Sequence, residues 1–132
     1  MPELSLEHAH RIVEQGRAAA TKDGMNAVFA VLDNGANLVA FSRMDGAWLA
    51  SNELALAKAR TSVMFQAPSD ALSLPITIGQ PLPHFDHIHA GGLLLMGGGV
   101  PLFDADGALI GALGVSGGTP DQDAALARAA SA

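Results

Sequence analysis

Residues 108–125, ALIGALGVSGGTPDQDAA, constrain the fold more than any other run of the chain. Ile110, Ala112, Leu113 and Val115 make an apolar stretch too short for an ordinary helix, and Gly111 and Gly114 interrupt it. That pattern predicts a strand covered on both faces, with backbone or a ligand in close approach at the glycines. Gly117 and Gly118 permit backbone angles that residues with a Cβ avoid. Thr119 then suits an N-cap, Pro120 the first helical position, and Gln122 completes a capping box. Asp121 and Asp123 put negative charge in the first turn, where the helix dipole favours it. A glycine turn entering a helix can leave N–H groups open to an anion or a carbonyl. Gly117, Gly118 and Thr119 are therefore candidate ligand-binding residues. The alternative is a tight, well-capped connection, because the run lacks the lysine of a phosphate loop and the spacing of a dinucleotide fingerprint.

The length of 132 residues predicts a single domain, residues 1–132, able to bury a core without staples. There is no cysteine, so disulfides and thiolate metal sites are excluded. Aromatic residues are 5% of the chain against 49% hydrophobic overall, which implies a core of closely packed backbones. The net charge is −6, with seven Lys and Arg in no cluster, so nucleic acid is not expected as a partner. No apolar run approaches the roughly 20 residues of a membrane span. The acidic, amphipathic start, MPELSLEHAH, has no basic or apolar signal region, which points to a cytoplasmic protein.

Elsewhere the elements follow from periodicity and breakers. Ser5 can cap a helix in which Leu6, Ala9, Ile12, Val13, Ala19 and Ala20 recur at helical spacing, closed by Lys22, Asp23 and Gly24. His8 and His10, two residues apart, would point to different sides of it. Residues 27–32 and 38–42 read as a hairpin around Asp33, Asn34 and Gly35, and residues 100–103 and 108–115 as a second around residues 104–107. The two units look alike, either as a weak internal echo or because both obey the same turn chemistry. Between them, residues 49–66 form a helix that is apolar on more than one face, so it should pack on the sheet and against a further surface, a second subunit being the natural candidate. Lys58 and Arg60 are unusual there: either their heads reach solvent along apolar stems, or one meets an anionic ligand. Residues 68–74 suggest a short helix and 93–96 a short strand, flanking a proline- and glycine-rich loop whose length is itself a functional signal.

That loop holds HFDHIH, with three of the five histidines of the chain in six residues. His87 and His89 would share a face on extended backbone. His84 could join them, and Asp86 could ligate or orient an imidazole. These four are the candidate catalytic residues, and the three histidines the candidate ligands of a divalent metal such as zinc, iron, manganese or nickel. The alternative is a solvated loop. Arg43 and Asp45, at the end of the first hairpin, form a second candidate: Arg43 could grip a carboxylate with Asp45 fixing it, or the two could be a surface ion pair.

The segments VLDNGANLVAFSRMDGA, ELALAKARTSVMFQAPSDAL and GALIGALGVSGGTPDQDAALARAA resemble the GlcG/HbpS-like family of haem-binding or haem-degrading proteins. The resemblance spans nearly the whole chain in order, and MDGA followed by the KAR helix and GVSGGTPDQD are fairly specific together. It implies an α/β (α+β) fold, profilin-like in outline, with a central antiparallel sheet of about five strands and helices packed on it. It also implies homo-oligomers and a small-molecule ligand, haem or another tetrapyrrole or iron. In many members the long loop is apolar or rich in glycine and proline, so His84, His87 and His89 depart from that pattern; a loop histidine as iron ligand is a reading of this chain's own residues. The EXXE-type iron motif of some members is absent: three residues after Glu53 stands Leu56. Two other functions stay open: a metal- or histidine-dependent enzyme of small organic acids, with Arg43 or Lys58 holding the carboxylate, and a non-catalytic oligomeric accessory protein.

Overall fold

The computed structural model describes residues 3–71, 79 and 93–132. Helix α1 (Leu6–Lys22) begins where the Ser5 hydroxyl accepts the His8 N–H. Strands β1 (Val28–Asp33) and β2 (Leu38–Arg43) form the first hairpin, α2 (Ala50–Phe65) follows, and β3 (Gly99–Phe103) and β4 (Leu109–Ser116) form the second. Helix α3 (Pro120–Ser131) closes the fold, capped by Thr119 with the full reciprocal box to Gln122. All pairings are antiparallel in the order β2-β1-β4-β3, so the two hairpins join through β1 and β4 into one sheet. Among the described residues the sheet has four strands rather than about five.

The central strands are buried almost end to end because both faces of the sheet are covered. Alternate residues divide between the faces. Phe29, Val31, Leu113 and Val115 pack with Ile12 and Val13 of α1 and Leu126, Ala127 and Ala130 of α3. Val28, Ala30, Leu32 and Ala112 face Ala55, Ala59 and Val63 of α2. Gly114 shows why glycine interrupts the β4 run. A Cβ there would overlap the Ala55 carbonyl oxygen and come within 2.8 Å of the Ala59 nitrogen, so backbone, not ligand, makes the close approach.

The two hairpin turns use one device. The Asp33 carboxylate accepts the N–H groups of Gly35 and Asn37, and the Asp104 carboxylate accepts those of Asp106 and Ala108. Their likeness is thus shared turn chemistry, an aspartate bonding backbone two and four residues on. Burial acts to raise the Asp33 pKa, but the Asn37 backbone and side-chain donors and the Gly35 N–H outweigh it and hold the carboxyl below its ordinary 3.8. A carboxyl whose pKa falls on folding stabilises the fold above its unfolded pKa, and that contribution is lost as pH drops through the folded value. Amide exchange across β1 and β2 should therefore accelerate as pH falls below about 4, after correction for intrinsic rates. Asp33→Ala should remove that dependence; an unchanged profile would contradict the role given to the carboxylate.

Two sequence expectations differ from the structure. Residues 93–96 form no strand. The Leu94 N–H bonds the Thr61 hydroxyl and the Met96 carbonyl accepts the Ser69 hydroxyl, so side chains take backbone groups that a ladder would use. Pro68 to Ala71 is a turn closed by the Ala71 N–H on the Pro68 carbonyl, not the start of a helix; residues 72–74 lie outside the described residues.

Candidate functional site

The glycine turn at the end of β4 is held from inside. The Gly118 N–H bonds Asp123 Oδ1 at 2.8 Å, and the Thr119 N–H bonds Gln122 Oε1 at 2.8 Å. The Gln122 N–H returns to the Thr119 hydroxyl, and the Asp123 N–H to the Thr119 carbonyl. The donors of Gly118 and Thr119 that the sequence offers to an anion are thus already used. The other oxygen of Asp123, Oδ2, takes the Lys58 ammonium at 2.9 Å, and the same ammonium donates to the Val115 carbonyl at 2.9 Å. Both side chains are 2% exposed. Lys58 therefore neither reaches solvent nor presents its charge to an open cavity. It ties α2 to the end of β4 and the first turn of α3. Gly98, at φ +131, lies against this pair; a Cβ there would overlap the Val115 carbonyl oxygen and meet Lys58 Cδ at 2.9 Å and Asp123 Cβ at 3.0 Å.

Over the outer side of the turn lies a cavity of about 640 Å³, walled by Met25, Trp48 and Leu54 and by Ser51, Ser116 and Gln122. It brings the MDGA corner and the glycine turn together, as the sequence allowed. Gly117, Gly118 and Thr119 line it. Arg43 turns the other way. Its Nη1 donates to the Ala47 carbonyl at 3.1 Å, fixing its own corner, and it shares a smaller cavity of about 310 Å³ with Asp45, Arg17 and Asn26. Among the described residues there is no ion pair between Arg43 and Asp45.

A third cavity, about 480 Å³, runs along the outer face of α2 between Leu54, Leu56, Ala57 and Arg60 on the helix and Leu93 and Leu94 beside it. Leu54, Leu56 and Ala57, half-buried on α2, form its apolar wall. His84, Asp86, His87 and His89 lie outside the described residues. Among the described residues, no group of three His, Cys, Asp or Glu is placed to hold a metal ion. No described helix is long and apolar enough to cross a membrane. His10 sits with Leu6 and Arg11 at a shallow hollow of α1. The residue that sequence reasoning missed is Asp123, read as a dipole partner and found as a buried counterion. A lysine amid the alanines and leucines of α2 was the available signal that a buried carboxylate must exist.

Comparison with known proteins agrees with this fold. A model of the haem degrading protein HbpS-like family matches residues 4–132. The chain is 35% identical over 113 residues to protein GlcG of Escherichia coli K12, covering 86% of this chain and 81% of GlcG. It superposes on a double mutant of Streptomyces reticuli HbpS with a TM-score of 0.89 at 33% identity, covering 99% of this chain and 86% of that one. A structure described as a PduOC–haem complex superposes with a TM-score of 0.92 at 32% identity, covering 98% of this chain and 93% of the other. The chain belongs to the HbpS-like family.

Proposed function

We propose that the chain binds a tetrapyrrole, haem being the type case, with an imidazole of the 84–89 segment as iron ligand. The observation that carries this reading is the near-complete likeness to a relative crystallised with haem. The residues present fit such a group. The α2 groove offers leucine walls, Leu54, Leu56, Leu93 and Leu94, in a space of about 480 Å³, within the range of small-molecule sites. His89 stands four residues before Leu93 in the sequence. His84, His87 or His89 would supply an imidazole to the iron of a bound haem, and Asp86 would hold that imidazole's orientation. Titration with hemin should give a displaced Soret band saturating near one equivalent per chain. A spectrum equal to the sum of free hemin and protein would remove the reading.

The same reading includes self-association. Trp48 and Leu49, adjacent at the start of α2, are each 82% exposed, and a second copy of the chain is the occupant proposed for them. Light scattering should find an oligomer that Trp48→Asp with Leu49→Asp converts to monomer; a monomeric wild type would contradict this.

A further inference from the structure

Arg60 differs from the other cations of the chain. Arg11 and Arg17 pair with Glu7 and Glu14, Lys58 pairs with Asp123, and Arg43 donates to the Ala47 carbonyl. Lys22 and Arg128 stand exposed to solvent. Arg60 has no ion pair with a described residue, and its Nε is buried without a hydrogen-bond partner. The side chain lines the α2 groove, whose other walls are Leu54, Leu56, Ala57, Leu93 and Leu94. A buried guanidinium N–H with no acceptor costs free energy that an incoming acceptor returns. In an apolar groove the return is larger than in water, and the planar fork of arginine matches a carboxylate with two parallel bonds. Glu53, the other charged residue of the groove, lies seven residues earlier on the helix, about 10 Å along its axis. Its charge opposes an acceptor that is anionic at both ends. The groove therefore suits one carboxylate on an extended or flat apolar body.

We propose that Arg60 is a ligand-binding residue, pairing with a single carboxylate of an amphipathic ligand whose apolar body lies along Leu54, Leu56, Leu93 and Leu94. Where the occupant is haem, the carboxylate is a propionate, and only this part rests on the tetrapyrrole reading. The test uses two pairs of probes on the full chain and its Arg60→Leu and Arg60→Lys variants. Pyrenebutyrate and pyrenebutanol share an apolar body and differ in the carboxylate; hemin and its dimethyl ester differ in the same way. Pyrenebutyrate should bind about tenfold or more weakly to Arg60→Leu, with part of the loss restored in Arg60→Lys, while pyrenebutanol binds both proteins alike. Hemin should lose affinity in Arg60→Leu, and its dimethyl ester should not. Pyrenebutyrate bound in an Arg60-dependent way, with hemin not bound at all, would retain this inference and discard the tetrapyrrole reading. Pyrenebutyrate bound equally by wild type and Arg60→Leu, or by neither, would overturn the inference whatever hemin does. Unchanged thermal melting of the variants separates loss of the site from loss of the fold.

Discussion

Lys58→Met is expected to destabilise the protein by about 3–5 kcal/mol, and to lower its melting temperature by about 10 °C or more. The ammonium is the partner of Asp123 Oδ2 and of the Val115 carbonyl, all out of water. Removing it leaves a carboxylate with only the Gly118 N–H for compensation. Asp123→Asn should cost a similar amount for the opposite reason, since it strands the ammonium. The double variant Lys58→Met with Asp123→Asn should recover much of the loss: the amide oxygen can still accept the Gly118 N–H, and no uncompensated charge remains. Denaturant unfolding of the four proteins gives the coupling directly. Additive single effects would contradict a pair in contact. The pair also sets function at one remove. It joins α2, which carries the groove, to the glycine turn, which floors the larger cavity, so both cavities should distort when it is broken.

Gly114→Ala should be nearly as damaging, at about 3 kcal/mol, the upper end for added volume in a packed core. The new methyl meets the backbone of α2 at Ala55 and Ala59. A flexible side chain would rotate aside, but a helix backbone has to be lifted from the sheet. Lifting it withdraws Ala55, Ala59 and Val63 from Val28, Ala30 and Ala112 and strains Lys58, next to Ala59. A loss below about 0.5 kcal/mol, the usual range of neutral surface changes, would mean that α2 does not sit on β4 as described.

Much of the fold was legible because its signals are local. Ser5 and Thr119 cap the helices they were expected to cap, and Asp33 and Asp104 close the turns between the strands they were expected to join. The glycines of β4 announced a close approach. What failed to show depends on distance in the chain. Lys58 and Asp123 are 65 residues apart, and periodicity carries no information on such pairing. The internal satisfaction of the glycine turn was missed because Asp123 and Gln122 were read as capping and dipole residues, not as acceptors for Gly118 and Thr119. Residues 93–96 look like a strand in composition, but the hydroxyls of Thr61 and Ser69 decide otherwise. The role proposed for the histidine segment, which lies outside the described residues, rests on residue chemistry alone.

The proposed imidazole ligand to haem iron is the point most directly open to measurement. Hemin spectra of the wild type, of His10→Ala and of a variant with His84, His87 and His89 all changed to Ala can be compared in one titration series. The account expects the wild type and His10→Ala to give the same displaced Soret band, and the triple variant to lose it while still melting as a folded protein. An undisplaced wild-type spectrum, or a triple variant that binds hemin with an unaltered band, would contradict it.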